Sequence, residues 1–164
     1  MKIVNMIFMT LQLFFFTGCI GSEYTFNNVD IPTENKELSF KIIPINPSSI
    51  AGYSAFILNI QNKTDRDMEI DWNKTNFIKD GTTSGTFMFE GIVYKDRNTV
   101  KANDVIFANS TFTKTIYPNN YVKFDSYGWY HVGTGLGSQG AYVVIIDGQK
   151  TIKQKVIVNI KEKN

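Results

Sequence analysis

From Leu38 to the end of the chain, apolar positions come in short runs at every second residue, and Gly, Pro, Asn and Asp interrupt them. The interruptions fall roughly every eight to twelve residues, the spacing of a multi-stranded antiparallel fold. The alternation predicts strands over 38–44, 53–61, 68–72, 76–79, 86–94, 105–107, 112–117, 121–127, 141–146 and 151–160. In the first, Leu38, Phe40 and Ile42 share a face. The second is apolar on both faces, as a central strand is. Asp147-Gly148 between the last two is a strong hairpin signal. No stretch repeats apolar residues at i, i+3, i+4 and i+7 for long enough to make a substantial helix. The predicted fold is an all-β, immunoglobulin-like antiparallel β-sandwich over 38–164, with a small β-barrel as the alternative.

The pattern before Leu38 is different. Lys2 opens the chain, residues 3–16 are apolar except Asn5, Thr10 and Gln12, and no acid precedes Glu23. A spanning helix needs roughly 20 apolar residues, so this run reads as a removable signal. It ends in Phe16-Thr17-Gly18-Cys19, with the only cysteine of the sequence.

That stretch resembles the lipobox of bacterial lipoproteins: Thr17, Gly18 and Cys19 match, and Phe16 stands where Leu is usual. The resemblance implies cleavage between Gly18 and Cys19, removal of residues 1–18, a thioether diacylglycerol on Cys19 and a third acyl chain in a Gram-negative host. Two or three chains hold a protein where one does so only marginally, each buried methylene contributing about 0.8 kcal/mol. Ile20 is not the Asp that retains such proteins at the inner membrane, which favours the outer one. Residues 19–37 then form a lipid-anchored polar tether, unless Tyr24 and Phe26 dock on the domain.

Composition narrows the rest. The chain has 17 basic and 15 acidic residues and a net charge of +2; losing 1–18 removes one lysine and no acid, leaving +1 over 146 residues. With no concentrated basic face, nucleic acid is not an expected partner. The single cysteine and the single histidine rule out disulfides and a cysteine or histidine metal cluster within one chain, and no cofactor is expected.

A second resemblance covers about residues 56–125. Met68-Glu69-Ile70-Asp71-Trp72-Asn73-Lys74, Phe77-Ile78-Lys79-Asp80-Gly81, Gly91-Ile92-Val93-Tyr94 and Thr115-Ile116-Tyr117-Pro118 look like a block in small bacterial lipoproteins. Those proteins tend to carry His and basic residues after the glycine turn, where this chain has Ser84, Thr86 and Phe87. The resemblance implies the fold and the anchor and brings no activity.

Candidate chemistry is sparse. Tyr127, Trp129, Tyr130 and His131, beside Gly133, Gly135, Gly137 and Gly140, could stack on a sugar ring or a peptide. The plainer reading is a hairpin loop covering one end of the core. Gly135-Leu136-Gly137-Ser138-Gln139-Gly140 satisfies the dinucleotide glycine pattern, but a strand and not a helix follows it, so phosphate would meet no helix terminus. Asp65, Asp67, Glu69 and Asp71 recur at the strand period and could form a calcium or acid/base site, or simply a solvated face.

The sequence therefore points to a non-enzymatic envelope lipoprotein, held in the membrane through Cys19, that binds an envelope protein or surface polymer. Its alternatives are a carbohydrate-binding protein or hydrolase using residues 127–131 with Asp71, and an accessory subunit of a secretion or pilus assembly.

Overall fold

The alternating runs do form strands. The computed structural model describes residues 23–29, 36–48 and 51–163; the expected signal segment, the Gly18 cleavage site and Cys19 lie outside the described residues. The strands are β1 (Tyr24–Val29), β2 (Leu38–Pro47), β3 (Tyr53–Asn62), β4 (Met68–Ile70), β5 (Asn76–Lys79), β6 (Thr82–Thr83) and β7 (Phe87–Met88). They continue with β8 (Asp104–Ile106), β9 (Thr111–Pro118), β10 (Val122–Asp125), β11 (Gly128–His131), β12 (Gly137–Asp147) and β13 (Lys150–Glu162).

Every pairing is antiparallel, and the strands lie in two facing sheets and one hairpin. The first sheet runs β1-β13-β12-β4-β8, with β5 beside β12 and β6 beside β5. The second runs β2-β3-β9-β7, and among the described residues β10 pairs with β11 alone. The sheets do not close on themselves, so the architecture is a sandwich and the barrel alternative falls.

The period-2 pattern decides which side chains meet. Phe56, Leu58 and Ile60 of β3 share a buried core with Val143 and Ile145 of β12 and Val156 and Val158 of β13. Phe77 sits at the centre, its ring 5.8 Å from Phe56, 5.8 Å from Tyr121 and 6.1 Å from Phe87. Full burial of such a side chain contributes about 1.5–3 kcal/mol.

Three segments differ from expectation. The strand predicted over 86–94 is only Phe87–Met88, after which Gly91, at φ 86°, lets the chain leave the sheet and enter a 3-10 turn, Tyr94–Asp96. Residues 128–131, expected to be loop, form β11, whose four residues all pair with β10. Gly137 and Gly140, expected in a glycine loop, lie inside β12. A Cβ on Gly140 would stand 1.9 Å from the Val156 carbonyl oxygen of β13, so the glycine serves strand approach.

Within the polar stretch before Leu38, β1 pairs with β13 from Tyr24↔Glu162 to Val29↔Ile157. Tyr24 and Phe26 dock on the domain, with rings 6.2 Å and 6.0 Å from Tyr53.

Pairing also gives the sandwich two distinct ends. One gathers Tyr24, Tyr53, Glu162 and the Pro118 end of β9, with Thr134 donating from its backbone N–H to the Tyr53 carbonyl oxygen at 3.0 Å. The other gathers Asn62, Ser110 and the Asp147-Gly148 turn. There Arg66 donates to Asp147 at 2.8 and 2.9 Å and to Glu37 at 2.8 Å. The Arg66 guanidinium holds the Asp147 carboxyl below the usual carboxylate range.

Candidate functional site

Among the described residues, the long connection from Phe89 to Asn103 builds an open recess. Two asparagines pin it. Asn73 donates to the Lys101 carbonyl at 2.8 Å and accepts from the Lys101 N–H at 2.9 Å, a reciprocal pair. Asn119 donates to Asn98 Oδ1 at 2.6 Å. Within the connection, the Arg97 guanidinium lies 3.9 Å from the Tyr94 ring centroid, and Thr99 Oγ1 donates to the Asp96 carbonyl at 2.7 Å.

Between this connection and strands β8 and β9 lies an open cleft of about 570 Å³. Phe89, Ile92 and Val100 give it apolar surface, and Lys101, Asp104 and Lys114 bring charge. Lys114 Nζ is ion-paired with Asp104 Oδ2 and lies 4.3 Å from the Phe89 ring centroid. The same Asp104 oxygen accepts from Trp72 Nε1 at 2.8 Å, and the Trp72 and Phe89 rings are 4.5 Å apart. Trp72 is 1% exposed, so one carboxylate ties a core indole to a charged cleft wall. Lys101 Nζ donates to the carbonyls of Arg97 at 3.0 Å and Thr99 at 3.3 Å, and burial pushes its ammonium pKa down.

The aromatic residues predicted as a site are brought together only in part. In the β10–β11 hairpin, Val122 pairs with His131 and Phe124 with Trp129, which puts these four on one face. His131 stacks on Tyr117 at 4.0 Å and 14°, and meets Trp129 edge-on at 4.9 Å and 90°. Phe124 stacks on Tyr94 at 5.3 Å. Tyr130 falls on the opposite face beside Lys123, and Tyr127 stands at the tip, 98% exposed. Among the described residues the buried His131 Nδ1 atom has no hydrogen-bond partner, and burial pushes the imidazole pKa below 6.5. Burial, then the Glu90 charge, pushes the Tyr117 phenol up.

Asp71 is elsewhere. Its backbone N–H bonds to Val144 of β12, its Oδ1 accepts from the Asn73 and Lys74 N–H groups at 3.1 and 3.2 Å, and its Oδ2 pairs with Lys74 at 2.9 Å. Those bonds make it the cap of the tight turn between β4 and β5. The hairpin, in contrast, leaves the Pro118 end of the opposite sheet. The carboxylates at spacing two are likewise committed separately, Asp67 to the Ala108 N–H and Glu69 to Asn103. Among the described residues, no group of three or more His, Cys, Asp or Glu is placed to hold a metal ion.

Sequence reasoning passed over Asp104, Lys114 and Lys101. A signal was present. Lys114 falls between Phe112 and Ile116 at the strand period, and Asp104 two residues before Ile106, so each puts a charge in register with core positions. The chain matches no protein-family model, and a comparison with curated proteins and solved structures found no match.

Proposed function

We propose that this chain is a lipid-anchored, non-enzymatic module of the bacterial envelope, and that it binds a peptide segment of an envelope partner in the cleft between the 89–103 connection and β8–β9. The observation that carries this reading is the cleft itself. It combines apolar surface from Ile92 and Val100, over a buried Phe89, with a Lys114–Asp104 pair that is already held in place by Trp72. Preorganised polar groups beside apolar surface are what ligand sites use to set orientation while burial supplies affinity. A peptide offers both: an apolar side chain for Ile92 and Val100, and amide or charged groups for Asp104 and Lys114. The anchor on Cys19 supports an envelope location for that partner.

A photo-crosslinking residue at Val100, which is 87% exposed and lines the cleft, tests the reading in intact envelopes. The expected result is one discrete adduct whose mapped partner peptide is displaced when supplied free, and which fades with Lys114→Glu. The same crosslinker at Phe107, outside the cleft, should not form it. Equal adducts from both positions, or displacement by glycan fragments and not by the peptide, would overturn the peptide reading.

A further inference from the structure

Among the described residues, no element covers the outward aromatic surface of the β10–β11 hairpin. Phe124 is 61% exposed and Tyr127 98%, with Trp129 and Tyr130 also exposed. A flat stacking platform for sugars is not what they form. The Trp129 and His131 rings stand at 90°, and the inner faces of His131 and Phe124 are taken by Tyr117 and Tyr94. What remains outward is the Tyr127 ring, the outer side of Phe124 and the exposed parts of Trp129 and Tyr130, beside Lys123.

Hydrogen bonds place the base of the hairpin in the fold. The hairpin base is closed by Val132 N–H donating to the Tyr121 carbonyl at 2.9 Å, two residues before Thr134 bonds to Tyr53. Tyr53 in turn donates from its hydroxyl to the Tyr24 carbonyl at 2.9 Å. The hairpin base and the start of β1 thus belong to the same end of the sandwich. Glu23, the first residue before β1, is four residues from Cys19. Four residues reach at most about 14 Å even when fully extended. A domain tied so closely at this end has little freedom to turn it from the bilayer.

From this we infer that the hairpin tip is a membrane-contact element: Tyr127, Trp129 and Tyr130 rest in the lipid headgroup layer while the Asn62 and Asp147-Gly148 end points away. Tyr and Trp favour that layer because each joins an apolar ring to a polar tip, and a lysine beside them meets lipid phosphate. The inference rests on the lipid-anchor reading of Cys19. It adds an orientation, with the Asp147 end of the sandwich held farthest from the lipid.

The test uses the full chain purified from bacterial membranes and reconstituted in phosphatidylcholine and phosphatidylglycerol vesicles, with lipids brominated on the upper acyl chain as quencher. Subtracting the emission of a Trp129→Phe variant isolates Trp129 from the buried Trp72. The expected result is that Trp129 loses most of its emission to bromolipid and is shielded from aqueous iodide. Intact mass on the same sample reports acylation. An acylated, vesicle-bound chain whose Trp129 is quenched by iodide and not by bromolipid overturns the inference and leaves the anchor standing. A response of Trp129 to added glycan fragments in place of bromolipid overturns it in favour of polymer binding. A chain without acyl mass overturns the anchor reading and the orientation together.

Discussion

Asp104→Ala is the substitution that most sharply separates a structural wall from an incidental surface charge. Asp104 Oδ2 accepts from a core indole N–H and pairs with the Lys114 ammonium. Removing the carboxylate leaves the Trp72 N–H, on a residue 1% exposed, without an acceptor. A buried donor so orphaned costs about 1–3 kcal/mol. The ion pair adds little beyond that, since both partners retain solvent contact and pairs of this kind contribute about 0–1 kcal/mol. The expected loss is therefore about 1–4 kcal/mol. Asp104→Asn keeps an acceptor oxygen for Trp72 and gives up only the charge, so its loss should stay within about 1 kcal/mol. Urea denaturation followed by far-UV circular dichroism measures both against the parent chain. Equal losses in the two variants, or an Ala variant as stable as the parent, would refute the indole–carboxylate account of the cleft.

Other consequences follow from the same contacts. Phe77→Ala removes the ring around which Phe56, Phe87 and Tyr121 pack, and should cost about 3–5 kcal/mol in the same denaturation assay. Gly140→Ala should split the β12–β13 ladder, read as faster amide exchange at Ile157, because the added Cβ meets a backbone carbonyl at 1.9 Å. The Asp147 carboxyl has a folded pKa held below its ordinary 3.8 by hydrogen bonds from Arg66. Its stabilising contribution is thus fully present above that ordinary value and is lost as pH falls through the folded one. Melting temperatures measured from pH 5 downward should fall less steeply in Asp147→Asn than in the parent, and parallel curves would contradict the pairing.

The strand framework was legible because burial imposes a period of two. Residues 76–79 and the Asp147-Gly148 hairpin carry that signal in full, and they appear as β5 and the β12–β13 join. Misreadings arose where a local pattern served a different purpose. Phe89, Ile92 and Val93 continue an apolar run past Met88, yet Gly91 turns the chain away and these side chains line the cleft. Gly137 and Gly140 look like loop residues, whereas Gly140 is small because β13 passes too close for a side chain. Asp71, a candidate acid in the spacing-two series, stands directly beside Trp72 in the sequence. In the fold they diverge, Asp71 capping its own turn and Trp72 reaching Asp104, 32 residues away. That pairing could not be read from either segment alone, since no local period links β8 to the turn after β4.

The most direct test of the envelope-module account is the intact mass of the chain recovered from bacterial membranes, measured beside a Cys19→Ser variant with both fractionated for membrane association. The account predicts that the parent chain has lost residues 1–18, gained acyl mass and partitions with membrane, while the variant does neither. A parent chain that keeps residue 1, or that is released without lipid, would contradict it.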